Sequence, residues 1–272
     1  MIDVSVVIPY YKRPKFIIEC LDSVFSQTYQ INEVILVDDG SGDSGFLHQL
    51  ENRYSKDNLQ IIELVNNLGV SAARNIGISK AKNKYIAFCD SDDRWHPEKI
   101  QMQLELIKRN SNIKVVHTDE RWILNGKNLN PHKKHTKPAG RIFNSCLNFC
   151  VVSPSSIIIH KDVFDKVGLF DQKFLVCEDY DMWLRIAKYF NFYFCPDKLV
   201  IKYGGHKDQL SRLYNCMDFW RIKALAKHLD GRALSLFEHL NLIEIYSRKK
   251  TVLTNGAIKH KNKHLLFELR SL

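Results

Sequence analysis

The chain has 272 residues, 45% hydrophobic and 26% charged, with a formal net charge of +10 and a pI near 9.2. That balance suits a globular protein whose core needs no disulfides, and it excludes a disordered or collagenous chain. No apolar run approaches the roughly 20 residues that cross a bilayer as a helix, so no membrane-spanning helix is expected, and the excess positive charge points to an anionic partner.

The first half alternates short β runs with helical segments. "VSVVIPY" (4–10) reads as a buried strand, and "PKFIIECLDSVFSQ" (14–27) as a helix with Pro14 in its first turn and apolar residues at 17, 18, 21, 24 and 25 on one face. "EVILVDD" (33–39) is a second strand, followed by a turn at "GSGDSG" (40–45) that opens the next helix. Then come strand "LQIIELV" (59–65), helix "VSAARNIGISKAK" (70–82), strand "KYIAFCD" (84–90), helix "PEKIQMQLELIKRN" (97–110) and strand "IKVVHTD" (113–119). This rhythm predicts an α/β/α sandwich around a mostly parallel sheet. In such sheets ligands bind beyond the carboxyl ends of the strands. Two strands end there on carboxylates, Asp38-Asp39 and Asp90 to Asp93.

The second half is less regular. "NGKNLNPHKKHTKPAGR" (125–141) reads as a mobile basic loop, "SSIIIH" (155–160) as a strand, and "EDYDMWLRIAKYF" (178–190) as a helix whose early acids suit its dipole. After Gly204-Gly205 the chain reads as helical, with Leu213, Cys216, Met217, Trp220 and Ala224 on one face. Cysteines stand at 20, 89, 146, 150, 177, 195 and 216 without a CxxC pair, which predicts reduced core residues. Cys146 and Cys150 share a helical face, but no partner at zinc-like spacing accompanies them.

"DSDD" (90–93) places three carboxylates in four positions. They would raise one another's pKa unless a cation neutralises them. Hard oxygens suit Mg²⁺ or Mn²⁺ bridging to a diphosphate. A bare D-x-D also fits an ordinary turn.

The stretches "VSVVIPYYKRPKFIIECLDSVFSQTY", "EVILVDDGSGD", "NNLGVSAARNIGISKAKNKYIAFCDSDDRWHPEKI" and "FLVCEDYDMWLRIA", in this order and spacing, resemble the family 2 glycosyltransferases across residues 3–212. The resemblance implies a GT-A fold over 1–212, with a nucleotide-sugar-binding half (1–120) and an acceptor-binding half (121–212), followed by a helical extension (213–272). It implies inverting, metal-dependent transfer of a sugar from a nucleotide-sugar donor, UDP-linked in first choice, to a saccharide or lipid-linked acceptor. Pro9 and Tyr10 would line the nucleotide pocket. Asp39, beside Asp38, would accept from the uracil N3–H. Arg74 would lie near the diphosphate or brace the acidic loop. Asp90, Ser91 and Asp92 form the D-x-D loop, with Asp92 the direct metal ligand and Asp90 beside it. Asp179 would be the catalytic base, supported by Glu178. A late histidine often reaches the metal or diphosphate in this class, and His206 in "YGGHKDQLSR" stands where such a residue would; an exposed loop histidine is the alternative. Processive members carry Q-x-x-R-W. Here Leu213 follows "QLSR", which implies single addition per encounter.

Asp119, Asp162, Asp165 and Asp171 read as turn or cap residues, and Trp95 and Trp183 as core or pocket wall. From Arg248 to Arg270 there are seven Lys or Arg and one acid, Glu268. This is either a solvated helical face or a tail resting on anionic lipid. The final helices are alternatively a homodimer interface. The start "MIDVSVVIPYYKRP" has an acid and no basic region before its apolar run, unlike a secretory signal. A cytoplasmic protein is therefore expected, with peripheral contact on the inner face of the membrane as an option. A sugar-1-phosphate nucleotidyltransferase is disfavoured, because "PYYKRPKF" lacks the Gly-rich phosphate loop. A nucleic-acid-binding module is disfavoured by the absence of a basic run interleaved with aromatics. An inactive scaffold of the same fold is opposed by the intact acids at 39, 90, 92 and 179.

Overall fold

The structure is a computed structural model and describes residues 2–129, 136–205 and 216–272. Strand β1 (Val4–Tyr10) is buried along its whole length, as expected of a β-branched run at the centre of a sheet. It pairs in parallel with β2 (Glu33–Asp38) on one side and with β4 (Tyr85–Phe88) on the other, and β2 pairs in parallel with β3 (Leu59–Glu63). Helices α1 (Pro14–Phe25), α2 (Ser44–Arg53) and α3 (Val70–Lys80) make the crossovers.

Beyond β4 the sheet becomes mixed. The remaining strands are β5 (Arg94–Trp95), β6 (Val115–Leu124), β7 (Lys127–Leu129), β8 (Ile157–His160) and β9 (Tyr193–Gly204). Among the described residues the nine strands follow the order β3-β2-β1-β4-β8-β6-β9-β5, with β7 on β6. Strand β8 is antiparallel to both β4 and β6, while β9 is parallel to β6 with a shift in register near Asp119. The helices of the second half are α4 (Lys99–Arg109), α5 (Phe143–Cys146), α6 (Lys161–Val167), α7 (Glu178–Ala187), α8 (Met217–Ala226), α9 (Leu236–Lys259) and α10 (Lys263–Arg270).

Alternation along the strands divides the core into two layers. Val6, Ile8, Val34 and Leu36 face one layer with Ile17, Leu21 and Leu104 of α1 and α4. Val7, Ile35, Val37 and Phe88 face the other, with Ala73 of α3 and Trp183 of α7. Ile222, Leu225, Leu242 and Leu269 join this second cluster, so the helices after the sheet share its core. Helix α9 begins with a capping box between Ser235 and Glu238. Arg141 clamps the same Glu238 through Nε at 2.6 Å and Nη2 at 2.7 Å.

Two parts of the second half depart from the sequence reading. Residues 125–129 are not loop but the turn and outer strand of a hairpin. Asn125 and Gly126 have φ of 49° and 76°, the left-handed pair favoured in a two-residue hairpin turn. The twelve-residue β9 was not anticipated, because Pro196, Asp197 and Lys198 interrupt its apolar pattern.

Helix α3 lies very close to β1. A Cβ at Gly77 would stand 2.3 Å from Val7 Cγ1, and Val7 is fully buried. Lys99, at the start of α4, is fully buried too. Its ammonium donates to Gln103 Oε1 at 2.8 Å and lies 4.0 Å from the centre of the Trp95 ring. Burial pushes Lys99 down to about 7.

Two stability predictions follow from these contacts. Gly77→Ala should lower the urea midpoint, at a cost of about 1–3 kcal/mol from overpacking, despite alanine's better helix propensity. Lys99→Met should stabilise the protein at pH 7 by about 1–4 kcal/mol, with the orphaned Gln103 carbonyl offsetting part of the gain. Between about 7 and the ordinary lysine value of 10.5, the unfolded chain holds a proton on Lys99 that the folded one lacks. Parental stability should therefore rise with pH relative to Lys99→Met across that window, and parallel urea curves at pH 7 and pH 10 would contradict the assignment.

Candidate functional site

Because β1, β2 and β4 run parallel, with Tyr10 opposite Asp38 and Val7 opposite Phe88, their carboxyl ends form one rim. The acidic groups Asp38-Asp39 and Asp90 to Asp93 both lie on it.

The acidic loop is a tight turn closed by the Asp93 N–H donating to the Asp90 carbonyl at 2.9 Å. Each carboxylate has a cation against it. Arg74 Nη2 donates to Asp90 Oδ1 at 2.7 Å, Arg13 Nη1 to Asp92 Oδ2 at 2.5 Å, and Lys202 Nζ lies 3.2 Å from Asp93 Oδ2. Asp93 is the structural member of the set. It is buried, takes the Ser155 hydroxyl at 2.6 Å, and is pushed by burial up to about 7 although Lys202 pulls the other way. Ser155 also accepts from the Asp90 N–H at 3.0 Å, tying the loop to the turn before β8. Ser91 is buried within the turn.

Arg74, on the first turns of α3, is 3% exposed and spans two motifs. Its Nη1 donates to Glu178 Oε1 at 2.7 Å while Nη2 holds Asp90. Of the two placements expected for Arg74, the geometry is that of the brace. The guanidinium stays charged between its two carboxylates, and burial pushes Glu178 up to about 7 against the pull of Arg74.

The four side chains of "EDYD" have separate anchors. Glu178 goes to Arg74. The Tyr180 hydroxyl donates to the Leu147 carbonyl at 2.7 Å. Asp181 is fully buried between Arg185 Nε at 2.9 Å and Lys227 Nζ at 2.6 Å, which fastens α8 to α7. Asp179 is half-buried. It accepts its neighbour's Tyr180 N–H through Oδ1 at 2.7 Å and the Cys150 thiol through Oδ2 at 3.2 Å.

The nucleotide-side residues are arranged differently from expectation. Tyr10 is 2% exposed, packs toward Phe46 in the core and is pushed up to about 12 by burial. Pro9 is likewise buried in the strand. Their side chains are therefore in the sheet layers rather than on the rim surface. The Asp39 carboxylate accepts from the Leu68 and Gly69 N–H groups at 2.7 and 2.9 Å and so shapes the turn into α3. An ionised carboxylate has about four lone-pair sites, so these bonds leave acceptor capacity. Asp38 is fully buried, accepts from the Ser41 N–H, and keeps Oδ1 unpartnered among the described groups; burial raises its pKa. His206 and the "QLSRL" stretch lie outside the described residues.

Trp95 and Trp183 are core residues. Asp171 accepts from the Lys173 N–H and pairs with Lys227, consistent with a turn role. The sequence reading missed Arg13, and it placed Cys150 only in the core. The basic "YKRP" after β1 was the available signal for Arg13.

Among the described residues, no group of three or more His, Cys, Asp or Glu side chains converges to hold a metal ion. The described residues of the rim do not by themselves form a cage of three or more such ligands. Its donor set is two hard carboxylates, Asp90 and Asp92, each held by one arginine contact named above. That suits Mg²⁺ or Mn²⁺, which takes one or two carboxylates and completes its shell from substrate phosphate and water.

The family model described as Glycosyl transferase family 2 matches residues 5–168. The chain belongs to that family. By family it is a glycosyltransferase. AmsB of Erwinia amylovora, an amylovoran biosynthesis glycosyltransferase, is 30% identical over 258 residues, covering 89% of this chain and 83% of AmsB. WfgD of Escherichia coli, a UDP-Glc:alpha-D-GlcNAc-diphosphoundecaprenol beta-1,3-glucosyltransferase, is 29% identical, covering 68% of this chain and 70% of WfgD. An uncharacterized glycosyltransferase of Rickettsia bellii is 32% identical over 77% of this chain, which spans only 31% of that relative's length. Among solved structures, S. aureus TarS 1–349 in complex with UDP-GlcNAc superposes with a TM-score of 0.77 at 20% identity, covering 96% of this chain and 76% of that one. The GT-A fold of this glycosyltransferase is thereby established.

Removing the brace should be costly. Arg74→Met leaves Asp90 and Glu178 facing one another without their cation and should lose about 3–5 kcal/mol of stability. Glu178 already binds a proton near pH 7 in the folded state and only near its ordinary value when unfolded, so protonation relieves the loss as pH falls. The melting-temperature deficit should be smaller at pH 5.5 than at pH 8, and Glu178→Gln added to Arg74→Met should recover part of it.

Proposed function

We propose that this glycosyltransferase moves one sugar per encounter, with inversion, from a UDP-sugar to a hydroxyl of a saccharide or lipid-linked acceptor in cell-envelope polysaccharide biosynthesis. The observation that carries the reading is the Arg74 bridge. One guanidinium holds Asp90 of the acidic loop and Glu178 of α7, which ties the start of α7, where Asp179 follows Glu178, to the acidic loop. The neighbour solved with UDP-GlcNAc supports a nucleotide-sugar donor, and the printed activities of WfgD and AmsB support a glycan acceptor and a polysaccharide product.

In this reading Asp39, beside Asp38, receives the nucleotide base, using acceptor capacity left over from the Leu68 and Gly69 amides. Asp92 and Asp90 would hold a divalent cation, Mn²⁺ or Mg²⁺, which would supply Lewis-acid charge to the diphosphate. Arg13 adds a second positive group at the same loop. Asp179 takes the proton from the acceptor hydroxyl as that oxygen attacks the anomeric carbon from the side opposite the diphosphate. A single displacement inverts the carbon. Glu178 and Arg74 fix the height of α7 and so the reach of Asp179, because general-base catalysis needs a hydrogen-bonding distance to the proton.

Among the described residues no helix is long and apolar enough to cross a membrane. The basic stretch from Arg248 to Arg270 would let the final helices rest on anionic lipid that carries the acceptor. Nucleic acid has no place in this reading.

Two measurements test it. In a thermal-shift panel of UDP, GDP, CDP and dTDP, one nucleotide, UDP by expectation, should raise the melting temperature with Mn²⁺ and much less with EDTA. Asp179→Asn should keep that shift while transfer falls by about 10²- to 10⁴-fold. Retained turnover in Asp179→Asn would remove it from the base role, and no shift with any nucleotide would favour an inactive binding protein of the same fold.

A further inference from the structure

Cys150 lies in the segment that joins α5 to the short turn of Pro154–Ser156. That segment is pinned to α7 on both sides of the cysteine. The Tyr180 hydroxyl donates to the Leu147 carbonyl at 2.7 Å, and Trp183 Nε1 donates to the Val152 carbonyl at 2.9 Å. The sulfur is thereby held against α7, and its Sγ lies 3.2 Å from Asp179 Oδ2 and 3.2 Å from the Val152 carbonyl oxygen. A thiol carries one hydrogen, so the two acceptors compete for it.

We propose that Cys150 is a positioning residue for Asp179, its thiol hydrogen resting on Oδ2 while the carboxylate is ionised and turning to the Val152 carbonyl once Asp179 has taken a proton. This rests on the reading of Asp179 as the base. In that step the acceptor O–H bond breaks and an Asp179 O–H bond forms. No bond to sulfur is made or broken, and the thiol only rotates about Cβ–Sγ. The arrangement needs a sulfur that stays protonated, and burial together with the Asp179 charge pushes the Cys150 thiol well above its ordinary range. Cys146 and Lys137 also act on the thiol, and Lys137 pulls in the opposite sense. The donor fixes the orientation of the ionised carboxylate, and with it the distance from its oxygens to the proton of the acceptor hydroxyl.

The test joins infrared spectroscopy to kinetics on the full chain. The S–H stretch of Cys150, isolated as the difference between the parent and Cys150→Ser, should lie lower in frequency with Asp179 present than in an Asp179→Ala background, where Val152 is the remaining acceptor. Cys150→Ala should lower kcat by roughly three- to tenfold, because the carboxylate loses the contact that orients it, with the donor KM within about twofold of the parent. Cys150→Ser, whose hydroxyl donates in the same place, should restore most of the loss. An S–H band unmoved by Asp179→Ala, or a kcat unchanged in Cys150→Ala while Asp179→Asn is inactive, would overturn the role of Cys150 alone. Retained turnover in Asp179→Asn would instead overturn the base reading, and the kinetic part of this proposal with it.

Discussion

One guanidinium organises the rim of this protein. Arg74 is buried between Asp90 and Glu178, carboxylates that are 88 positions apart in the chain (178 − 90) and belong to different layers of secondary structure. Charges this deep cost desolvation energy, and an ion pair of this kind is seldom a net source of stability. Its value is geometric. With two bonds of 2.7 Å from a planar fork, the end of β4 and the start of α7 have one relative position. The remaining acids can then be assigned by what they touch. Asp93 belongs to the Ser155 and Lys202 network beneath the loop, and Asp181 to the fastening of α8. Asp92 meets an arginine of the β1–α1 connection, and Asp179 its neighbour's N–H and a thiol.

Family membership and fold together explain how so little identity preserves so similar a shape. At 20% identity the chain superposes on TarS over nearly all its length. This chain has a burial pattern that fits the fold, with central strands apolar on both faces and acidic residues at their carboxyl ends. Individual side chains can change so long as the two core layers stay filled.

The first half of the fold was legible because its signals are local. Strands of consecutive β-branched residues, Pro-started helices and a helix after each strand leave few arrangements open, and β1 occupies the predicted span Val4–Tyr10. Strand β9 was hidden because its pairing with β6 is set by tertiary contacts that override a Pro-Asp-Lys interruption. The hairpin at Asn125-Gly126 had a local signal that the surrounding lysines and prolines obscured. At the site, the sequence named the carboxylates but not what faces them. Arg13 meets Asp92 across 79 positions and Cys150 meets Asp179 across 29, and no periodicity reports such contacts. The burial of Tyr10 was equally invisible, since a residue at the end of a strand can turn into the layer below or onto the rim.

Gly77 gives the bridge its depth. It lies three residues beyond Arg74, on the same side of α3, and its bare backbone lets the helix settle against Val7. An arginine has a fixed length, so whether it touches both acids depends on how far below the rim its helix axis runs. The spacing between that helix and the central strand acts as the shim of the whole site, its thickness set by one hydrogen atom where every other residue carries a side chain.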